Sequence, residues 1–203
     1  MSLRLVEEML LERGIAVTHE TIRRWGKKFG PDYARRLRRN QSNCDDIWHL
    51  DEVVIAVAGR KHWLWCAVDQ DGYVLDEIVQ NRRNAKAAKR LLTRLLKKQG
   101  VAPKRMITDK LRSYGAALKE IGAADRQETG RWSNNRAENS HLPFRRRERA
   151  MLRFRRMRSL QKFASVHTSV CNHFNQDRGH SKRYHFKTNR AAALAEWRGL
   201  CAN

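Results

Sequence analysis

The sequence predicts an α/β protein in which a mixed sheet with flanking helices follows a small helical segment. Three strand-like runs, at 47–57, 62–68 and 73–79, follow one another closely with turn residues between them. A helical pattern over 84–98 then leads to a short strand at 105–108. Because a helix that crosses over a sheet returns the next strand parallel to the first, we expect the strand at 105–108 to lie parallel to the first strand.

The first strand and the long helix have clear local support. Ile47–Val57 is apolar on both faces, which is typical of a strand in the middle of a sheet. Asn84 is suited to cap the helix that follows, and Gly100 is suited to end it. The helix between them would bury one leucine face, formed by Leu91, Leu92, Leu95 and Leu96.

More helices follow the short strand. One is expected from about Leu111 to Ile121, and a later one, capped by Ser133 or Asn134, contains Glu138. Three strands, a helix, a strand and then helices is the element order of the ribonuclease H-like fold. We therefore predict such a core over 45–150. The remaining residues, 151–203, read as a basic helical C-terminal region that ends in a short helix at Ala191–Trp197.

The N-terminal residues 1–30 predict a helix-turn-helix segment. Apolar positions indicate one helix over 3–13 and a second over 18–28, which Thr18 would cap. Gly30 and Pro31 are expected to end the second helix, and 31–44 would be a basic linker. Since a helix-turn-helix lays its second helix in the major groove, we favour DNA binding over a plain helical hairpin. Arg23 and Arg24 would then be exposed toward DNA.

Composition points to a polyanionic partner. The chain has 203 residues, a formal net charge of +22 and a pI near 10.9, while its 41% hydrophobic content suffices for a core. No apolar run approaches the ~18 residues of a membrane span, and the N-terminus does not resemble a secretory signal. Four scattered cysteines with no CxxC pair argue against a thiolate zinc module. These features predict a soluble intracellular protein with no membrane partner.

The basic chain contains an acidic island at 45–80, with eight acids and two bases. One interpretation is a solvated hairpin whose acids face water, and we give it even weight for Asp69, Asp71, Asp76 and Glu77. The other is a cation site surrounded by a surface that attracts phosphates.

Asp51 and Asp109 carry the stronger chemical signal. Asp51 lies in the middle of an apolar strand, where an unpaired carboxylate is costly, and Asp109 ends the strand at 105–108. If those strands are neighbours, the two carboxylates converge, and Glu138 on a later helix can supply a third oxygen ligand. Three carboxylates without a nearby histidine or cysteine favour a hard cation, Mg²⁺ or Mn²⁺.

Four segments carry a resemblance to a known family: WHLDE (48–52), AVDQDG (67–72), TDK (108–110) and NNRAENSH (134–141). With the following RRRER (145–149), they closely resemble the D-D-E transposases of bacterial insertion sequences, above all the insertion-sequence-six family. The resemblance extends from about Leu3 to the end of the chain. It implies that Asp51, Asp109 and Glu138 form the catalytic triad of a ribonuclease H-like core.

The resemblance also implies partners and a reaction. The partners would be double-stranded DNA, as terminal inverted repeats and target, and further copies of the chain in a homo-oligomer. Two divalent ions would support DNA cleavage and strand transfer. Related transposases usually carry more sequence before the first helix, so a truncated or mis-started N-terminus would weaken recognition of the ends. Two rivals stay open: a decayed, non-enzymatic DNA-binding protein, and a ribonuclease H-like nuclease acting on RNA or a junction.

Basic residues near the predicted triad are expected to bind phosphate. Lys110 and Arg112 follow Asp109 directly, and Arg145 lies two helical turns after Glu138, with Pro143 between them as a source of a kink. Eight arginines occupy fourteen residues, which favours phosphate binding over a solvated face: Arg145, Arg146, Arg147, Arg149, Arg153, Arg155, Arg156 and Arg158. The scattered histidines, among them His141, are expected to be structural.

Overall fold

The computed structural model describes residues 2–39, 46–130, 135–151, 154–174 and 182–202, without the side chains of residues 39, 135, 136, 138, 139 and 202. Seven α-helices and five strands lie in these ranges. In chain order they are α1 (Leu3–Leu11), α2 (His19–Arg39), β1 (Ile47–Val57), β2 (Arg60–Asp69), β3 (Val74–Gln80), α3 (Ala85–Gln99), β4 (Arg105–Thr108), α4 (Arg112–Glu120), β5 (Gln127–Thr129), α5 (Asn135–Ala150), α6 (Met157–Phe174) and α7 (Arg183–Ala202).

The five strands form one mixed sheet in the order β3-β2-β1-β4-β5. β1, β2 and β3 form an antiparallel meander, whereas β4 pairs parallel with both β1 and β5. The expected crossover is present: α3 connects β3 to β4, which pairs with β1 from Ile47 opposite Arg105 to Leu50 opposite Thr108. The predicted α/β class with a ribonuclease H-like mixed sheet is confirmed.

Alternation along β1 creates two apolar layers, because successive side chains of a strand point to opposite faces. Trp48 and Leu50 belong to a cluster with α3 and α4, in which Tyr114 is also fully buried. Ile55 and Val57 belong to a second cluster, which contains residues of α5 and α6 and the segment between them: Phe144, Phe154, Leu160 and Ala164. The sheet therefore carries helices on both faces.

The ends of the long helix form as the sequence predicts. The side chain of Asn84 accepts a hydrogen bond from the Ala87 backbone at 3.0 Å, which satisfies a free N–H of the first turn. Gly100 follows the helix with φ of 71°, a left-handed conformation that glycine adopts without strain. Leu91, Leu92 and Leu95 are fully buried against the sheet.

The predicted end of the second N-terminal helix at Gly30–Pro31 is wrong. Helix α2 continues through Pro31 to Arg39, so residues 31–39 are helical, and residues 40–45 lie outside the described part of the chain. Packing against α6 explains the difference, because Ala34 and Leu37 are buried and a Cβ at Gly30 would lie only 3.4 Å from Val166. Buried contacts outweigh the hydrogen bond that proline removes. The predicted domain boundaries stay a prediction.

The start of α2 is held from two sides. The Thr18 hydroxyl accepts a hydrogen bond from the Thr21 backbone at 3.3 Å, as expected for an N-cap. Glu7 of α1 accepts a further bond from the His19 backbone at 2.9 Å, which ties the two helices together. The small helical segment before the core is thus present.

Two further elements differ from the sequence prediction. The stretch before α5 contains β5, a three-residue edge strand that no sequence pattern indicated. The C-terminal helix runs over Arg183–Ala202 rather than Ala191–Trp197. Trp197 stacks on Tyr33 of α2 with ring centroids 5.3 Å apart, so part of this helix is stabilised by a tertiary contact. No helix in the described part of the chain is both long and apolar enough to cross a membrane.

Candidate active site

The parallel pairing of β1 with β4 brings two acids together. Leu50 of β1 lies opposite Thr108 of β4 in the register. Asp51 follows Leu50 and Asp109 follows Thr108 along the chain. A carboxylate oxygen from each, together with one from Glu52, lies within 4.8 Å of the others. Asp51 and Asp109 are partly exposed, whereas Glu52 is buried. An acidic cluster that solvent can reach therefore forms where the parallel pairing ends, and we call it the site cluster: Asp51, Glu52 and Asp109.

Helix α5 covers the site cluster from one side. Ala137 is fully buried against Cys66 and Val68 of β2, and Cys66 lies opposite Asp51 in the antiparallel register. One turn beyond Ala137, the Nε2 atom of His141 lies 3.1 Å from Oδ2 of Asp51, and the His141 side chain is only 7% exposed. His141 was expected to be structural, but it contacts a predicted metal ligand directly.

Glu138 belongs to α5 by its backbone, and its side chain lies outside the described part of the structure. Its helix position is one turn before His141, on a helix that packs against β1 and β2. Its predicted role as third catalytic carboxylate stays a prediction.

Arg83 lies between two acids of the site cluster. Its Nε donates to Glu52 Oε1 at 2.6 Å, and its Nη2 lies 3.4 Å from Asp109 Oδ2. The guanidinium carbon is 5.2 Å from the centre of the Trp63 ring, a distance typical of a cation–π contact. Arg83 is thus fixed at three points, and it reduces the negative charge beside Asp109.

The Glu52 carboxylate has an unusual environment. Burial raises the pKa of Glu52, and the hydrogen bond from Arg83 acts in the opposite direction. Its Oε2 atom is buried without a hydrogen-bond partner, as is the hydroxyl of Tyr114. Burial raises the pKa of Tyr114 well above its usual range, and the nearby negative charge of Glu52 adds to this. Arg83 therefore holds one oxygen of Glu52, and the Tyr114 hydroxyl also interacts with this carboxylate.

The residues after β4 hold Asp109 in place. Its Oδ1 accepts a hydrogen bond from the Leu111 backbone at 3.0 Å, just before α4 begins. Gln127 of β5 donates to the Thr108 hydroxyl at 2.8 Å, which fixes the end of the strand. Lys110 and Arg112 are both exposed beside Asp109, as expected for residues that contact phosphate.

The other predicted DNA-binding residues lie on helix surfaces. Arg23 and Arg24 are exposed on α2, where both approach Glu20, at 3.0 and 4.0 Å. Helix α5 is continuous through Pro143 and carries both Glu138 and Arg145, while the kink expected at Pro143 stays a prediction. Arg145 is partly buried and pairs with Glu148 at 3.0 Å, whereas three arginines of α5 are exposed: Arg146, Arg147 and Arg149.

The acids of β3 do not join the site cluster. Asp76 and Glu77 are buried, as is Asp69, so the solvated-hairpin interpretation is wrong for three of the four acids to which it was applied. Asp69 accepts backbone hydrogen bonds from Asp71 and Tyr73 within its own turn. Asp71 alone of the four is exposed.

The site cluster offers the ligand type that a hard divalent cation requires. Its donors are carboxylate oxygens, which suit Mg²⁺ and Mn²⁺ better than softer metals. Asp51 and Asp109 are open to solvent on one side, so an ion and a substrate oxygen could reach them together. The arrangement can therefore support metal-assisted attack on a phosphodiester.

Sequence reasoning missed Arg83, His141 and the position of Glu52. Arg83 lies in a connection of unremarkable composition, and its contact with Asp109 spans 26 residues. His141 lies 90 residues from Asp51. One signal was available for Glu52: it follows Asp51 within an apolar strand, where a second acid also needs a partner.

Comparison with protein families identifies the core. A family model described as a DDE domain, of the IS240 transposase type, matches residues 45–177. The chain is 30% identical over 146 residues to the transposase for insertion sequence-like element IS431mec of Staphylococcus aureus, which covers 70% of the chain and 65% of that relative. The transposase for IS257 in transposon Tn4003, also from Staphylococcus aureus, is 29% identical over the same length. The chain thus spans just under two thirds of these relatives.

A comparison with solved structures agrees on the fold. One similar structure is a simian T-cell lymphotropic virus intasome in complex with PP2A regulatory subunit B56 gamma. The likeness has a TM-score of 0.50 at 17% identity and covers 71% of the chain and 58% of the viral chain. At this identity the likeness bears on the fold alone.

Proposed function

Because the chain belongs to the DDE-domain family of bacterial insertion-sequence transposases, we propose that it is a DNA transposase. It would bind the ends of an insertion sequence and catalyse metal-dependent DNA cleavage and strand transfer. The observation that supports this most strongly is the convergence of Asp51 and Asp109 at the carboxyl end of β4, where its parallel pairing with β1 stops. In open sheets this is where ligand groups gather.

Asp51, Asp109 and Glu138 would hold the divalent cations, Mg²⁺ or Mn²⁺, two in number. When bound, such ions activate a water or 3′-hydroxyl and stabilise the leaving oxygen of the phosphodiester. His141 is suited to orient the Asp51 carboxylate, because its Nε2 lies within hydrogen-bond distance of one carboxylate oxygen and leaves the other free.

Three groups of basic residues would hold the DNA. Arg23 and Arg24 would read base edges from α2, and Lys110 and Arg112 would hold phosphates beside Asp109. The third group lies on α5 and would contact the phosphate backbone of the DNA end: Arg145, Arg146, Arg147 and Arg149. Strand transfer joins two element ends to one target, so the active complex would be a homo-oligomer on DNA, within the nucleoid.

The test is a strand-transfer assay with the purified chain, Mg²⁺, and a labelled duplex carrying the inverted repeats that flank its gene. Nicking at the repeat and joining of its 3′ end to a plasmid are expected, and Asp109→Asn should show neither. Binding of the ends without metal-dependent nicking would instead identify a decayed DNA-binding protein. Cleavage confined to RNA or junction substrates would identify a ribonuclease H-like nuclease.

A further inference from the structure

The site cluster contains one carboxylate more than the proposed ligand set uses. Glu52 has a ligand oxygen within 4.8 Å of those of Asp51 and Asp109. Its residue is 8% exposed, and Arg83 and Tyr114 are groups that act on its carboxylate. Carboxylates bind hard divalent cations readily, so Glu52 is a competing ligand at the same site.

Arg83 engages this extra carboxylate directly. Both Nε and Nη2 contact Oε1 of Glu52, while the contact from Nη2 to Asp109 is looser at 3.4 Å. The Trp63 ring lies beneath the guanidinium, which limits the directions in which the side chain can move. A planar guanidinium can hold two donors on one acid and stack on a ring at the same time, which a lysine cannot do.

We propose that Arg83 is a positioning residue that holds Glu52 out of the cation site, so that the ion binds through Asp51 and Asp109. This inference rests on the proposed function, since it assumes that these two acids bind the metal. Arg83 acts through Glu52: when the arginine is removed, the freed carboxylate turns to the ion and binds it.

Removal of Arg83 should therefore make the ion bind more tightly, in a geometry that does not support catalysis. Without Arg83 the site cluster carries three uncompensated negative charges, and Glu52 adds a ligand oxygen. An additional unit charge at about 4 Å from the ion is sufficient to strengthen binding by about tenfold or more. Catalysis would fall at the same time, because Glu52 would take a coordination position that a substrate oxygen requires.

The experiment is a Mn²⁺ titration of the purified full chain without DNA, in which free Mn²⁺ is measured by electron paramagnetic resonance. Arg83→Gln should bind Mn²⁺ about tenfold or more tightly than the parent chain. In a Glu52→Gln background the same substitution should strengthen binding by a factor at least about threefold smaller, because the arginine charge beside Asp109 is still lost but no carboxylate is freed. Arg82→Gln removes an equal charge from the exposed neighbouring residue and should leave affinity unchanged.

Equal effects of Arg83→Gln in both backgrounds would mean that Arg83 acts by charge alone, and weaker or unchanged Mn²⁺ binding would likewise overturn the proposal. If Arg83→Gln does not fold, as judged by circular dichroism, Arg83→Lys serves as the single variant. It keeps the charge but loses the two-nitrogen grip on Glu52, and a gain in affinity of about threefold is expected; no gain would overturn the proposal. Asp109→Asn separates the two hypotheses: unchanged Mn²⁺ binding by this variant would refute the proposed cation site itself.

Discussion

Two groups of acids on the same sheet differ in what surrounds them. The site cluster lies where the parallel pairing of β1 with β4 ends. It includes two acids that solvent can reach, and Arg83 pairs with Glu52 and Asp109. The β3 cluster, Asp76 and Glu77, is buried beneath α2, α3 and α6, in a pocket lined by three bases: Arg38, Arg94 and Lys98.

The β3 cluster finds most of its partners within the protein, although Oε2 of Glu77 is buried without a hydrogen-bond partner in the described residues. Arg94 donates to both oxygens of Asp76, at 2.6 and 3.3 Å, and Lys98 lies 3.6 Å from the same carboxylate. The Thr168 hydroxyl of α6 donates to Glu77 at 2.5 Å. Burial raises the pKa of Glu77 to about 7, so this acid takes up a proton easily instead of attracting a cation.

This difference shows which carboxylates are available to bind a metal ion and a substrate. Both groups are carboxylates on strands of one sheet or directly after one, and all of them except Asp109 lie in the acidic island. Acids that fixed bases and hydroxyls already occupy contribute to the fold, and a surplus of nearby positive charge disfavours a metal ion there. Acids that keep an open oxygen near solvent can bind an ion and a substrate.

The largest expected effect is on DNA cleavage, which should depend on the acids of the site cluster and not on those of the β3 cluster. Asp51→Asn, Asp109→Asn and Glu138→Gln should each lower DNA cleavage by roughly a thousandfold or more, because a neutral amide is a poor ligand for a hard cation. Asp76→Asn should cleave normally per folded molecule. The measurement is nicking of an end-containing duplex at matched folded protein, with binding followed separately. An Asp109→Asn chain of full activity would remove that residue from the site.

A pH titration of stability should detect Glu77. Its pKa of about 7 in the folded protein exceeds the ordinary value of 4.5, so between these values the folded state keeps a proton that the unfolded state has lost. The contribution of Glu77 to the free energy of unfolding should therefore be largest below about pH 4.5. It should fall by roughly 3 kcal/mol as the pH rises through 7.

Glu77→Gln should remove this loss, because the amide cannot ionise yet can still accept the Thr168 hydrogen bond. Urea unfolding at several pH values measures the difference between parent and variant. Glu120→Gln, at an exposed acid on α4, should leave the pH dependence as it is. If the Glu77→Gln and parent curves run parallel from pH 4 to 8, Glu77 is not the group that titrates.

Asp76→Asn should cost stability rather than activity. The side chain is 7% exposed, and its loss of charge leaves Arg94 and Lys98 without their anion. Because Arg94 is about half exposed and water can replace part of the contact, we expect a loss of about 2 kcal/mol. Asp46→Asn breaks an exposed pair with Lys104 of the same 2.6 Å length and should cost less than about 0.5 kcal/mol. Equal losses in urea unfolding would contradict the distinction by burial.

The sequence predicts the parts of this comparison that depend on local pattern. The bounds of β1, the Asn84 cap and the crossover that aligns Asp51 with Asp109 follow from periodicity, caps and chain order. The continuation of α2 through Pro31 could not be predicted, because it depends on burial against α6. Local pattern favoured a helix end there, and tertiary packing outweighed it.

The partners of the acids were likewise not predictable. Arg83 reaches Asp109 across 26 residues, and His141 reaches Asp51 across 90. Asp76 and Glu77 resembled solvated hairpin acids, because nothing in the sequence shows that α6 covers β3. Gln161 and Asn172 of α6 pair with the backbone of β3, a contact visible only in three dimensions.

The smallest expected effect concerns lysine and arginine side chains. As with the acids, those without a partner in the protein are compared with those that already have one. Lys110 and Arg112 are exposed beside Asp109 and have no ion pair within the described residues, so they are free to bind phosphate. Lys89 and Lys104 are bases that acids already engage, each at 2.7 or 2.6 Å from a carboxylate. Each phosphate contact contributes about one unit to the slope of log affinity against log salt.

The double variant Lys110→Ala/Arg112→Ala should therefore lower that slope by about 2 and weaken all duplex sequences alike. Lys89→Ala/Lys104→Ala removes the same charge but should lower the slope by less than about 1, because those bases are partly neutralised before DNA arrives. Fluorescence anisotropy with a random duplex between 50 and 200 mM salt, a range set by counterion release, measures both. If the two double variants lose the same slope, net charge alone governs binding, and the bases beside the site cluster have no special part in holding DNA there.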